Sequence, residues 1–235
     1  MSTYAFLHFV HKLSFFLTIL CLRSEGALAK PNAGDMLKRT TALYDKRIAA
    51  GYIDKHYARK WWRSVASYYP NRSRWLEAGC GACGLVKTLL RTGYDAFGVE
   101  ISDSAISGPC RDLVREGRVK KGSLHRIPFE SAQFDLVFSS EVLEHIPVEL
   151  IPSVIKELKR VAKGKLFLSI SLRRSKLDPK PPTLPVIHVT VKSRQWWEEM
   201  FSREGCTIDQ EVMNHFPKNV KHEPWFFPFH CITTS

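Results

Sequence analysis

RWLEAGCGACGLV, residues 74–86, sets Gly79, Gly81 and Gly84 in the spacing G-x-G-x-x-G directly after an apolar run. A run that ends on such a glycine cluster reads as a strand feeding a tight turn and then a helix, the opening unit of a doubly wound α/β sheet. Glu77 stands two residues before the first glycine. A dinucleotide loop brings pyrophosphate to the helix N-terminus, and a carboxylate at the strand tip would set like charge against it. The loop therefore reads as one for a different adenosine ligand.

Working outward from Trp75, short apolar strands alternate with helical stretches. The strands are expected at Trp75–Ala78, Ala96–Glu100, Gly117–Lys120, Leu136–Ser139 and Leu166–Ser171. Ile151, Val154, Ile155, Leu158 and Val161 recur at helical spacing, and Gly164 follows as a stop. Such alternation implies a parallel sheet covered on both faces. After a proline-rich loop, KLDPKPPTLPV, comes the helix SRQWWEEMFSREG. Two further strands, near Ile208–Met213 and Trp225–Cys231, are expected to pair as an antiparallel hairpin at the sheet edge. The expected fold class is α/β: a Rossmann-like, mostly parallel seven-stranded sheet with helices on both faces and an antiparallel edge hairpin. The proline loop borders the ligand side and reads as a lid.

The segment KKGSLHRIPFESAQFDLVFSSEVLEHIP, residues 120–147, resembles class I S-adenosylmethionine-dependent methyltransferases. Members of that family often read G-D-A-x-x-L-P-F, then F-D-x-V, then E-x-L-E-H, and the resemblance runs from about Trp75 to Ser171. S-adenosylmethionine carries an ammonium and a sulfonium and no phosphate, so Glu77 becomes an asset. The resemblance implies that Glu77, Gly79 and Gly81 line the methionine portion. It places Glu100 on the ribose hydroxyls, Ile101 against the adenine, the Leu124 N–H on the adenine ring, and the Ser140 main chain on the cofactor. Two positions depart from the pattern. The family's third glycine falls at Cys83, and the acid that commonly receives the adenine amino group is Ser123, a weaker neutral acceptor.

The implied reaction is methyl transfer to an acceptor the sequence does not identify, expected to be small and, from the basic charge, open to an anion; the methylated atom is not fixed. A hydroxyl acceptor needs its proton removed, and His145 and His188 are the candidate bases. No metal ligand is assigned, because E-x-L-E-H occurs widely in the family without evident need of one. The rival reading places Glu141, Glu144 and His145 on one helix face with His188 as a fourth ligand to a divalent cation. That set resembles metal-assisted small-RNA ribose methyltransferases and ubiquinone-pathway O-methyltransferases. An interaction module that keeps the fold without catalysis is the non-enzymatic alternative.

The composition fits one domain with an appendage: 235 residues, 44% hydrophobic and 25% charged, with net charge +12 and pI near 9.5. The basic excess favours acidic partners, namely nucleic acid, phosphorylated metabolites, acidic glycans or anionic surfaces. Residues 30–75 carry eleven Lys and Arg against three Asp, interleaved with Tyr44, Tyr52, Tyr57, Trp61, Trp62 and Tyr68. This stretch reads as a helical cap, residues 30–74, ahead of a domain at 75–235, with nucleic-acid binding as its alternative. Residues 1–29 hold no acid before Glu25, an apolar run Leu13–Leu22 too short to span a bilayer, and Ala27-Leu28-Ala29, the grammar of a secretory signal peptide. Organelle targeting is the alternative address. Removing that segment leaves five cysteines, so at least one thiol stays unpaired in a monomer and no disulfide framework is expected; Cys80 and Cys83 read as small loop-lining residues.

Overall fold

Strand order across the sheet is β3-β2-β1-β4-β5-β7-β6, which puts the reversal of direction between β1 and β4. These are β1 Arg74–Ala78, β2 Asp95–Glu100, β3 Val119–Lys121, β4 Leu136–Ser140, β5 Lys165–Ser169, β6 Cys206–Ile208 and β7 Phe226–Cys231. The computed structural model describes residues 32–51, 57–175, 187–215 and 226–231. Residues 1–29, expected as a signal peptide, and the proline-rich loop at 176–186 lie outside the described residues. The first five strands run parallel, and β7 pairs antiparallel with both β5 and β6. Among the described residues, no helix is long and apolar enough to cross a membrane.

Alternation along each strand sends side chains to two separate cores. On one face Leu76, Val137, Leu166 and Leu168 meet Val154 and Leu158 of α6 (Ile151–Val161) and Trp197 and Phe201 of α7 (Arg194–Arg203). On the other face Trp75, Leu136, Phe138 and Phe167 meet Leu85 and Leu89 of α3 (Gly84–Arg91) and Trp62 and Val65 of α2 (Tyr57–Ala66). Trp75, Phe138 and Phe167 form a stacked row across β1, β4 and β5, with ring centroids 6.4 and 5.6 Å apart.

The N-terminal stretch carries two helices, α1 (Ala33–Ala49), followed by a turn at Gly51 with φ +83°, and α2 (Tyr57–Ala66). Two expectations change. The strand expected at Ile208–Met213 stops at Ile208. Asp209 accepts the Val212 N–H at 3.2 Å and starts α8 (Gln210–His215), so a side-chain cap ends the strand. Disulfides are also present: Cys83–Cys110, and Cys206–Cys231 joining β6 to β7, while Cys80 remains a buried thiol. Among the described residues, Cys80 is the one cysteine outside a disulfide.

Phe138 is the middle ring of the aromatic row and is 1% exposed. Phe138→Ala should lower unfolding free energy by about 3–5 kcal/mol, read from the midpoint of a urea titration.

Candidate active site

A cleft of about 450 Å³ opens beyond the carboxyl ends of β1, β2, β3 and β4, at the reversal in strand order. Ligands of open parallel sheets bind at this position. Gly79 follows β1, Glu100 and Ile101 end β2, Gly122, Ser123 and Leu124 follow β3, and Ser140 to Val142 leave β4; all of them line the cleft. Leu37, Thr40, Thr41, Tyr44 and Arg47 of α1 roof it at helical spacing.

Gly79 shows why the loop needs glycine. Its φ is +80°, and a Cβ there would stand 2.6 Å from Val142 Cγ2. Gly81 (φ +51°) lies under Tyr44, whose hydroxyl oxygen would meet an added Cβ at 2.8 Å. Neither Gly81 nor Glu77 lines the cleft wall. Glu77 turns back instead: its Oε2 accepts the Val86 N–H at 3.2 Å in the first turn of α3, where helix polarity favours a carboxylate. The structure thus places Glu77 as a support for the loop.

Glu100 is the centre of this half. It is 3% exposed, yet its carboxylate accepts three backbone N–H groups: Gly81 at 2.8 Å on Oε2, and Ile101 and Ser102 at 2.9 Å on Oε1. Burial pushes its pKa up, against the lowering effect of those three donors. A carboxylate has about four acceptor positions, so Oε2 keeps room for one further donor such as a ribose hydroxyl. Ser102 also caps α4 (Asp103–Ser107), and its hydroxyl bonds Asp45 of α1, so the roof is fastened to the tip of β2. Ser123 Oγ is engaged 2.7 Å from His125 Nδ1. Ser140 Oγ is buried in the cleft wall with no hydrogen-bond partner. That orphaned hydroxyl, the Gly79 cradle and the donor-rich Glu100 together fit an adenosyl group.

The other half gathers ionisable side chains. After β4 the chain turns through Glu141 (φ +56°) into a single 3₁₀ turn, Leu143–His145. Glu141, Glu144 and His145 therefore do not share an α-helical face. Thr190 fixes the segment that carries His188. Its N–H donates to Glu144 O at 3.0 Å and its hydroxyl to Ile146 O at 2.6 Å. The His145 and His188 rings then meet edge to face, 4.9 Å between centroids. His145 Nδ1 lies 2.8 Å from Ile187 O, and His188 Nδ1 lies 2.6 Å from Arg173 O. A carbonyl only accepts, so each Nδ1 carries the proton and each Nε2 holds the basic lone pair.

Glu144 is fully buried, beside the Glu141 carboxylate and the Ser171 backbone. Burial first, then the neighbouring Glu141 carboxylate, push its pKa far above the usual range. Glu141 itself accepts from Ser169 Oγ at 2.6 Å. One donor atom from each of Glu144, His145 and His188 lies within 4.8 Å of the others, a set able to hold a cation. Arg47, Arg173 and Arg174 also line the cleft.

Eight expected residues, Gly79, Glu100, Ile101, Ser123, Leu124, Ser140, His145 and His188, thus face one cleft. The roof residues Tyr44 and Arg47 and the clamp Thr190 were not singled out as site residues. For α1 the available signal was its basic, aromatic character next to a cofactor loop.

Residues 76–168 match the family model described as a methyltransferase domain. The chain is 25% identical over 159 residues to the Arabidopsis thaliana protein named probable pectin methylesterase CGR3, covering 64% of this chain and 60% of the relative. It is 28% identical over 156 residues to the ubiquinone biosynthesis O-methyltransferase of Methylococcus capsulatus, covering 54% and 64%. The match thus spans about three-fifths of these curated relatives. Among solved structures, a TehB-like SAM-dependent methyltransferase from Corynebacterium glutamicum superposes with TM-score 0.54 at 15% identity, over 85% of this chain and all of that one. The [4+2]-cyclase SpnF superposes at 0.52 with 18% identity, over 76% and 74%. These superpositions show the fold, and the cyclase shows that the fold alone does not fix the reaction.

Removing the Glu100 carboxylate deletes the loop anchor together with an acceptor in the cleft wall. Glu100→Ala should weaken S-adenosylhomocysteine binding about 10- to 150-fold, the equivalent of about 1.5–3 kcal/mol for bonds to a charged group. Calorimetric titration checks it, and unchanged affinity would remove Glu100 from the cofactor site.

Proposed function

We propose, from the premise that this chain belongs to the class I S-adenosylmethionine-dependent methyltransferases, that it transfers a methyl group to an oxygen of a small anionic acceptor. One observation carries the choice of oxygen: two imidazoles, each with Nδ1 on a backbone carbonyl, stand together in the wall of the same cleft as Glu100. A hydroxyl becomes a competent nucleophile when its proton is taken as the bond forms, and histidine suits that task near neutral pH. Both curated relatives described above carry names that concern methyl groups on oxygen.

S-adenosylmethionine supplies an already activated methyl on a sulfonium, so the protein's work is placement and proton removal. Gly79, Ile101, Leu124 and Ser140 shape the adenosyl side, and Glu100 offers its remaining acceptor position to the ribose. His145 takes the acceptor proton on Nε2 while its Nδ1–H stays on Ile187 O. His188, edge-on to it and held by Arg173 O, orients the ring. Arg47, Arg173 and Arg174 supply positive potential for an anionic acceptor.

A cation-assisted version is favoured by the convergence of donor atoms from Glu144, His145 and His188 within 4.8 Å of one another. Glu144, His145 and His188 would hold a divalent ion, which would polarise the acceptor oxygen. The two versions separate cleanly. With His145 as base, His145→Ala abolishes turnover while S-adenosylhomocysteine still binds, and chelator leaves turnover of the wild type unchanged. Loss of turnover in chelator with S-adenosylhomocysteine binding intact, restored by Mg²⁺ or Mn²⁺, would replace the base by the ion.

For its address we read the secretory pathway. The signal-like residues 1–29 support it, and two disulfides suit an oxidising compartment. Asn71-Arg72-Ser73 is a glycosylation sequon with Asn71 exposed. Protein from its native source should therefore begin at Lys30 and lose mass at Asn71 on treatment with an N-glycosidase. An intact Met1 with unmodified Asn71 would contradict that address.

A further inference from the structure

Three cysteines converge beneath the cofactor loop. Cys83, in the disulfide to Cys110, caps the N-terminus of α3, and Cys110 occupies the same position on α5 (Arg111–Arg115). Cys80, the remaining thiol, has its Sγ 3.6 Å from Cys83 Sγ. Cys110 Sγ lies 3.1 Å from Gly81 O; as half of a disulfide it has no proton to donate, so this is a contact only. Two features show that the sheet and loop are shaped around these sulfurs. A Cβ on Gly98 of β2 would stand 2.7 Å from Cys80 Sγ, so the strand gives up a side chain where that sulfur sits. Cys83 holds φ +61°, a left-handed conformation that normally calls for glycine.

We propose that Cys80, Cys83 and Cys110 form a thiol–disulfide exchange centre that sets the shape of the cofactor loop. Cys80 sulfur, as thiolate, attacks Cys83 Sγ. The Cys80–Cys83 bond forms, the Cys83–Cys110 bond breaks, and Cys110 leaves as a thiolate that takes up the proton Cys80 lost. The number of disulfides is unchanged, so no external oxidant or reductant is consumed. Before exchange the bond ties the loop to the start of α5. After it, the bond closes the turn from Cys80 to Cys83 around Gly81, whose N–H rests on Glu100, and draws Cys80 off Gly98. The two isomers thus present different loops to the ligand. Burial first, and the Glu100 and Glu77 carboxylates after it, hold Cys80 as a thiol, so exchange waits on opening of the loop. A ligand that keeps the loop closed suppresses it. The consequence for affinity rests on the cofactor reading given above; the exchange itself does not.

Tryptic mapping of the full chain tests this directly, because Cys80 and Cys83 share the peptide 75–87 whereas Cys110 lies in 92–111. After incubation in a glutathione redox buffer, acid quench and alkylation, a fraction of the protein should carry alkylated Cys110 together with a 75–87 peptide two hydrogens lighter. Saturating S-adenosylhomocysteine should reduce that fraction. Cys80→Ser should keep the 83–110 cross-link in the same buffer. Cys110→Ser should carry the 80–83 bond and bind S-adenosylhomocysteine with an affinity at least about fivefold different from wild type. Should Cys110→Ser fail to fold, the wild-type map decides alone. Release of Cys83 and Cys110 only together, with all three thiols alkylated, would overturn the exchange. Equal affinities of the two isomers would overturn its effect on the loop. Absence of S-adenosylhomocysteine binding to every form would defeat the cofactor reading, and the effect on affinity with it, while the exchange map would stand or fall by itself.

Discussion

The buried carboxylate of Glu100, with three backbone N–H groups converging on it, is the constraint on which the ligand cleft depends. It joins the loop after β1, through Gly81, to the turn after β2, through Ile101 and Ser102. Through Ser102 and Asp45 the same network reaches α1, the roof. Desolvating a carboxylate is costly, and three charge-assisted hydrogen bonds offset that cost. With one acceptor position left, this structural anchor also lines the cleft. Glu77 completes the arrangement from behind by supporting the first turn of α3.

The histidine pair is organised by different means. Thr190 clamps the segment 187–190 against the turn that carries Glu144 and His145, and each Nδ1 rests on a backbone carbonyl. Glu100 stands at the tip of a sheet strand, while the histidine pair is assembled from loop segments. Loops tolerate more change than sheet strands, which accords with a fold shared by methyltransferases and a cyclase.

The parallel core was legible because its strands are short apolar runs and its helices carry apolar residues at helical spacing. Glu100 was found from its position at the end of the second strand. Its three backbone donors were not, since they depend on how two turns fold around it. Glu77 was assigned to the ligand because its charge suits a cation; the sequence does not reveal that the side chain turns back toward α3. The strand expected at Ile208–Met213 failed because a run with Ile208, Val212 and Met213 reads as apolar in either state, and Asp209 as a cap decides it. Cysteine pairing was out of reach for a similar reason. An odd count says that one thiol remains, whereas the partnership of Cys83 with Cys110 depends on α5 meeting α3. The closeness of His188 to His145 depends on Thr190, which no motif marks.

The division of the cleft into a cofactor half and an oxygen-acceptor half is tested most directly by following the methyl group. The intact protein would be incubated with methyl-labelled S-adenosylmethionine and an extract of its native source, and the labelled product isolated by anion exchange. Label on an oxygen of an anionic product is the predicted result. Label confined to a nitrogen or carbon atom, or no labelled product from protein that binds S-adenosylhomocysteine, would contradict it.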